Sequence, residues 1–202
     1  MYRYAEGNRT AARFEKITDI DFLSSTELIC TDRNNHCLRH VDLLLSPPET
    51  STFAGNCTVS GNADGHRLNS ALFTYAANTE VKDDNSTVFV LANHITLCMI
   101  DLKTDSMTTL VAFDRNGYDM KLFGNNLLYF AQYFGVTVFN LDTREESVIA
   151  GGESSGSAIG PFNHTRFQYA RGLMPRTDAI NTLLLVADYR NDRFAVLFLG
   201  VR

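Results

Sequence analysis

Leu28-Ile29-Cys30-Thr31-Asp32-Arg33-Asn34-Asn35-His36-Cys37-Leu38-Arg39-His40-Val41-Asp42 reads as two short strands joined by a polar turn. The flanks supply Leu, Ile, Val and Thr, which suit a pleated, half-buried surface. The turn supplies Asp and Asn, whose side chains fold back on their own backbone. Upstream, Phe14 leads into a strand over Ile17 to Phe22, and downstream Ser51-Thr52-Phe53-Ala54-Gly55 adds a fourth. One antiparallel sheet is therefore expected between residues 8 and 55. Helix signals are weak along the whole chain.

The unit recurs. A second copy has Ser70-Ala71-Leu72-Phe73, Val88 to Ala92, the turn Asn93-His94, Thr96 to Asp101 and Met107 to Ala112. A third has Met120-Lys121-Leu122, Asn126 to Ala131, Val136 to Asp142 and Glu146 to Gly151. The fourth has His164-Thr165-Arg166-Phe167, Leu183 to Asp188, the turn Tyr189-Arg190-Asn191-Asp192, and Arg193 to Leu199. The leading residues Phe14, Phe73, Leu122 and Phe167 stand 59, 49 and 45 residues apart, the period of a four-stranded propeller blade. One such sheet cannot bury both faces alone, so blades must stack. The expected fold is all-β: one β-propeller region over 1–202, with about four four-stranded antiparallel blades at approximately 8–55, 56–113, 114–151 and 152–202. The chain ends after a third strand, and Tyr2-Arg3-Tyr4-Ala5-Glu6-Gly7 resembles the fourth-strand segment Ser51 to Gly55. Residues 1–7 are thus expected either to complete the last blade and close the propeller, or to mark a window of a longer array.

Leu28 to Asp42, followed by Thr52-Phe53-Ala54-Gly55 and Asn62-Ala63-Asp64-Gly65, resembles the NHL repeat, as does Leu183 to Asp188 with Tyr189-Arg190-Asn191. Cys-Leu-Arg followed by Ala-Gly-x-Cys is similar to extracellular invertebrate NHL-repeat proteins, egg bindin receptors among them. Asn93-His94 and Gln132-Tyr133 depart from the pattern, where the family favours Asp before an Asn-bearing turn. The resemblance implies an NHL-type propeller, usually six-bladed, so this chain would be part of a longer polypeptide. The family includes extracellular repeats, intracellular scaffolds, RNA binders and zinc lyases acting on peptide glycine ends. It therefore implies a fold more narrowly than a function. With no Trp in the chain, the Trp-Asp signature of WD-type propellers is absent.

A formal net charge of -5 disfavours nucleic acid, because such binding rests on Lys and Arg displacing counterions. Leu183 to Ala187 and Ala195 to Leu199 are the longest apolar runs, far short of the roughly 20 residues of a membrane-spanning helix. The N-terminal residues carry no apolar stretch of a secretory leader, which taken alone reads as cytoplasmic. Asn-x-Ser/Thr sequons at Asn8, Asn56, Asn85 and Asn163 pull the other way. So do the cysteines. Cys37 begins the third strand of its blade and Cys57 follows the fourth, so the hairpin brings them opposite one another and a disulfide is expected; the alternative is two free thiols. Cys30 and Cys98 lie inside strands and read as core residues, and no Cys-x2-Cys pair suggests structural zinc. The expected location is extracellular or cell surface, with the leader elsewhere in a longer product; cytoplasmic is the alternative.

No catalytic, cofactor or metal site is expected. Gly152-Glu153-Ser154-Ser155-Gly156 matches a nucleophile elbow as a string, but Gly160-Pro161 breaks the helix that such an elbow needs. His36 and His40 would stand roughly 13 Å apart on a strand, too far for one zinc. His66, His94 and His164 would have to converge from separate loops to hold a metal. Asn62-Ala63-Asp64-Gly65 and Asp83-Asp84-Asn85-Ser86 lack EF-hand spacing and read as turns, as do Asp32 and Asp188. Tyr75, Tyr118, Tyr133, Tyr169 and Tyr189, with Arg166, Arg171 and Arg190, are the residue types that anchor interfaces, although aromatics must also fill the layers between blades. The expected function is an extracellular scaffold that binds a protein or glycan through loops at one face. The alternatives are a metal-dependent propeller lyase or lactonase, and an intracellular NHL scaffold or RNA-binding domain.

Overall fold

The computed structural model describes residues 4–152, 154–161, 164–177 and 181–201. It is all-β, with two single-turn 3-10 segments at Arg33–Asn35 and Tyr189–Asn191. Its contacts divide the chain into two compact units, Met1–Asp114 and Arg115–Arg202, a division that the repeat alone does not signal.

In the first unit, β1 (Gly7–Asn8), β2 (Ile17–Ser24), β3 (Glu27–Asp32), β4 (Cys37–Asp42) and β5 (Glu49–Gly55) form a sheet in the order β1-β5-β4-β3-β2. A second sheet, in the order β6-β10-β9-β8-β7, comprises β6 (Gly65–His66), β7 (Ala76–Val81), β8 (Thr87–Ala92), β9 (Thr96–Asp101) and β10 (Ser106–Ala112). The second unit holds β11 (Gly117–Phe123), β12 (Leu127–Gln132), β13 (Gly135–Asn140) and β14 (Glu145–Gly151), paired in sequence order. A three-stranded sheet follows, of β15 (Ala170–Thr177), β16 (Asn181–Asp188) and β17 (Arg193–Val201). All pairings are antiparallel. Four antiparallel blades of the β-propeller class result, two in each unit.

Each unit has its own core. Ile29, Leu38, Phe53 and Ala54 of the first blade meet Phe73, Val88, Val90, Ile100 and Met107 of the second. In the second unit Tyr129, Ala131, Val136 and Ala150 meet Phe167, Leu173, Leu184, Val186 and Leu197. The hydrophobic layer explains why β8, buried on both faces, reads as an unbroken apolar run. A second device joins the blades. The carboxylates of Asp19 and Asp21 on β2 accept the backbone N–H groups of Thr79 (2.8 Å) and Val81 (2.7 Å) on β7. Asp119 on β11 does the same for Leu173 on β15 at 2.7 Å. First strands of consecutive blades pack edge to edge there, and a carboxylate satisfies amides that would otherwise lose a partner on burial.

Asp32 and Asp188 organise the turn between the second and third strands. Asp32 Oδ1 accepts the Glu15 amide at 2.7 Å, and Oδ2 accepts Asn35 Nδ2 (2.9 Å) and Arg39 Nη1 (3.1 Å). In the last blade Asp188 takes the Gln168 amide, Asn191 Nδ2 and Arg193 Nε at 2.7–2.9 Å. Arg39 and Arg193 sit seven and five residues after their carboxylates. Two residues apart is one pleat repeat, so both reach the carboxylate from the same face of the strand.

Two expectations change. Residues 4–8 run along the first blade, not the last: β1 pairs with β5, and Ala5 bridges Arg13. The cause is Arg39, fully buried, whose Nη2 donates to Ala5 O at 2.9 Å and whose guanidinium lies between the rings of Tyr4 and Phe14. Residues 1–3 lie outside the described residues. The leading residue of the third blade is Phe113, 6% exposed, not Leu122, which lies well inside β11. The link from β10 to β11 is short, so the aromatic stands four residues before the strand, where Phe14, Phe73 and Phe167 stand three before theirs.

Candidate functional site

The first strand of every blade opens with a register shift, between Ile17 and Ile20, Ala76 and Asn78, Gly117 and Asp119, and Ala170 and Gly172. A bulge leaves a residue unpaired and turns its side chain out of the ladder. Immediately before the strand, Lys16, Tyr75 and Tyr169 adopt φ of 68°, 51° and 73°. Positive φ in a tyrosine is an outlier for a bulky side chain, and such strain clusters where a site fixes the backbone. The turn after the second strand lies at the same end of each blade: the amides of Asn93 and Tyr189 donate to the carbonyls of Tyr75 and Tyr169 at 3.0 Å.

In the first unit this end is used for packing. Thr18 Oγ1, at the bulge, meets Thr31 Oγ1 at 2.9 Å and donates to Ala77 O at 2.8 Å. The Tyr75 ring lies 4.8 Å from the ring of buried His36, under the Arg33 guanidinium. His36 Nδ1 accepts the Tyr75 amide at 3.2 Å, and burial, with Arg33 beside it, holds its pKa below the usual histidine value.

In the second unit the same positions carry Tyr118 and Arg171, and they assemble a cluster. The rings of Tyr118 and Tyr133 lie 4.8 and 4.3 Å from that of Tyr169, and Tyr189 stands edge-on at 6.3 Å. The exposed Arg171 guanidinium lies 4.6 Å from the Tyr169 ring, 5.2 Å from Tyr118 and 5.4 Å from Tyr189, while Arg190 covers Tyr169 at 5.1 Å. Each such contact is worth about 0.5–1 kcal/mol at an exposed site, so together they hold the guanidinium in one pose. Tyr118 is hydrogen-bonded to Tyr169: burial and that partner push its phenol up to about 12, whereas Tyr118 and Arg171 hold the Tyr169 phenol below its usual value. Beside the cluster, an open depression of about 520 Å3 is lined by Arg115, Asn116, Gln132, Tyr133, Phe134 and Gly135.

Six of the eight aromatic and arginine candidates named from sequence thus meet. Tyr75 belongs to the first unit, and Arg166 donates to its neighbour's carbonyl, Thr165 O. Arg115, Asn116 and Phe134 were not foreseen; the repeated Phe-x-Tyr of Phe73-Thr74-Tyr75 and Phe167-Gln168-Tyr169 is the signal that marks this end of the blade.

The other candidates are placed as follows. Cys37 and Cys57 are joined in a disulfide with Cα atoms 5.0 Å apart. Cys30 and Cys98 are free and buried, with thiols pushed up to about 12 and about 11 by burial. Asn56 and Asn85 are exposed, Asn8 is half-buried in β1, and Asn163 lies outside the described residues. His40 Nε2 meets Glu27 at 3.1 Å, His66 lies in β6, His94 meets Arg33 at 3.2 Å, and His164 lies in a loop of the second unit. Among the described residues no three His, Cys, Asp or Glu side chains converge as metal ligands would. Ser154 lies in an exposed irregular segment; Glu153 is outside the described residues. Asp84 Oδ1 takes the amide and hydroxyl of Ser86 in its own turn, whereas Asp64 Oδ1 takes those of Thr109 on β10, 45 residues away, so Asp64 ties its loop to a strand and does not cap its own turn.

No known family matches the sequence, and no curated protein does. Among solved structures the chain is similar to a structural genomics protein of unknown function from Bacteroides thetaiotaomicron, with TM-score 0.67 and 14% identity over 98% of this chain and 45% of that one. It is similar to an auxiliary nutrient binding protein from the same organism, with TM-score 0.55 and 13% identity over 99% of this chain and 59% of that one. It is also similar to the extracellular domain of the hybrid two-component system BT4673 of B. thetaiotaomicron, with TM-score 0.55 and 11% identity over 93% of this chain and 22% of that one. The chain spans less than two thirds of the length of each of these structures. At such identities the likeness carries the fold alone, and the fold it carries is the β-propeller.

Proposed function

We propose that this chain is an NHL-type propeller of an extracellular protein, and that it binds a protein or glycan ligand at the Tyr–Arg cluster of its second unit without catalysing a reaction. The observation that carries this reading is Arg171, exposed and held against three tyrosine rings. Tyr and Arg dominate binding hot spots because they offer large rigid area together with polar tips. A guanidinium pre-positioned in this way loses little entropy on binding and offers a planar pair of donors to a carboxylate or sulfate. The clustered tyrosines, tilted or edge-on to one another, add apolar ring faces and hydroxyls, which suit a sugar ring or a peptide backbone.

The Cys37–Cys57 disulfide and the exposed sequons at Asn56 and Asn85 support an oxidising, secretory compartment. The NHL-like motifs at Leu28 to Asp42 and Leu183 to Asn191 support the subtype. A nutrient binding protein and an extracellular domain among the similar structures accord with this reading. The test is a printed array of neutral, uronate-bearing and sulfated oligosaccharides and of extracellular-matrix peptides, probed with the purified chain. Arg171→Ala and Tyr189→Ala should each weaken the selected ligand by at least about tenfold, the loss expected of a hot-spot side chain. A ligand bound equally well by both variants would place the binding surface elsewhere.

A further inference from the structure

The Tyr–Arg cluster of the second unit holds positive charge that its surroundings do not neutralise. The Arg171 and Arg190 guanidinium carbons lie 4.6 and 5.1 Å from the centroid of one ring, that of Tyr169. The two like charges are therefore no farther apart than the Debye length of about 10 Å at 0.1 M salt. Both residues are exposed, and among the described residues no carboxylate is ion-paired with either. Arginines elsewhere are answered: Arg39, Arg67 and Arg193 each meet an aspartate.

The acidic residues beside the cluster are already engaged. Asp119, next to Tyr118, accepts the amides of Met120 (2.9 Å) and Leu173 (2.7 Å). Asp188, next to Tyr189, is wholly buried and accepts from Gln168, Asn191 and Arg193. In a chain of formal net charge -5 carboxylates are in excess, yet none is set against this pair. The Tyr169 phenol responds to the same field: Tyr118, Arg171 and Arg190 hold it below its usual value. An anion arriving from outside relieves the repulsion between the guanidinium groups and meets donors already fixed over a ring.

Main-chain groups around the cluster are engaged as well. The carbonyls of Tyr133, Phe134, Gln168 and Tyr169 accept the amides of Tyr169, Gly152, Arg190 and Tyr189 at 2.8–3.2 Å. An extended peptide draws much of its affinity from a ladder of backbone hydrogen bonds, and these groups are not left over to form one. What the surface offers is side chains: ring faces, phenols and guanidinium groups, the partners of a charged sugar. Tyr133 belongs both to the cluster and to the wall of the neighbouring depression. The depression, of about 520 Å3, falls within the roughly 300–1,000 Å3 of small-molecule sites.

We infer that the ligand of this site is an acidic oligosaccharide, whose carboxylate or sulfate group is held by the Arg171 and Arg190 guanidinium groups while the adjoining sugar lies on Tyr133 and enters the depression. The inference rests on the ligand site proposed above and names what that site takes. It makes Arg190 a specificity-determining residue, required for an acidic ligand and dispensable for an uncharged one.

Titration calorimetry at neutral pH compares two acidic probes with their uncharged forms: a glucuronate-bearing tetrasaccharide with its carboxyl-reduced form, and a sulfated tetrasaccharide of neutral sugars with its unsulfated form. An acidic probe should bind at least about tenfold more tightly than its uncharged form, the loss expected when a charge-assisted contact is removed. Which of the two binds identifies the anion. Arg190→Ala changes an exposed residue and should keep the parent melting curve. It should weaken the acidic probe at least about fivefold and leave the uncharged form unchanged. An uncharged form that binds as tightly as its acidic parent, and still depends on Arg171, would overturn the acidic assignment and leave the ligand site standing. A glutamate-rich peptide that binds in place of both sugars would do the same. Failure of both acidic probes to bind, or full binding by Arg190→Ala, overturns the inference. Binding indifferent to Arg171→Ala and Tyr189→Ala removes the ligand site along with it.

Discussion

Asp32→Ala should lower stability by about 3–5 kcal/mol, the penalty for leaving a buried charge without its partner. Asp32 and Arg39 are both wholly inaccessible, with Oδ2 and Nη1 3.1 Å apart. The substitution would strand the Arg39 guanidinium and remove the acceptor of the Glu15 amide and Asn35 side chain. It would also loosen the N-terminal segment, because Arg39 holds Ala5 O and Arg13 O through the same guanidinium. Asp188→Ala removes the corresponding carboxylate of the last blade, but Arg193 there retains 20% exposure and can turn to water, so the loss should be smaller. Asp32→Asn/Arg39→Met, which removes both charges together, should be milder than Asp32→Ala alone. Urea denaturation at neutral pH measures all three. An Asp32→Ala protein no less stable than Asp188→Ala would show that this buried pair does not fasten the first blade.

Reduction of Cys37–Cys57 should cost about 2–4 kcal/mol, the usual range for a bridge closing a short loop. The bond spans 20 residues and ties the start of β4 to the segment that leaves β5 for the second blade. It fastens the outer part of a sheet whose inner strands already have a core. Cys57→Ser should therefore lower the melting temperature of the first unit, and reductant should lower that of the parent protein but not of Cys57→Ser. The buried Cys30 and Cys98 thiols, pushed up to about 12 and about 11, should resist iodoacetamide at pH 8 until the chain unfolds. A parent melting curve unchanged by reductant, with four thiols then titratable, would contradict this role.

The sequence made the strands after the first of each blade legible because they alternate or run apolar between turn residues, as in Leu28 to Asp42 and Leu183 to Leu199. First strands were harder to read. β7 is Ala-Ala-Asn-Thr-Glu-Val and β15 is Ala-Arg-Gly-Leu-Met-Pro-Arg-Thr. Both are poor in β-branched residues and the latter contains proline, which as a sequence signal argues against a strand. Their pairing is set by tertiary context: carboxylates of the preceding blade satisfy amides that the sequence leaves without an evident partner. The same gap hid the site. Tyr118, Tyr133, Tyr169, Tyr189, Arg171 and Arg190 are visible as residue types, but their meeting depends on bulges, which carry no local signal here, and on the left-handed backbone of Tyr169, which only the repeated Phe-x-Tyr marks. The likeness of the N-terminal segment to a fourth strand leaves its blade open, because it says nothing about Arg39, the residue that captures it on the first.

The proposed secretory route and the Cys37–Cys57 disulfide are tested most directly by intact mass. Protein carrying a secretory leader and recovered from the culture medium should lose hexose-containing mass on enzymatic deglycosylation, with Asn56 and Asn85 converted to aspartate. Alkylation under denaturing, non-reducing conditions should label two cysteines, and prior reduction should raise the number to four. Protein that carries no glycan and labels at four cysteines without reduction would contradict the account.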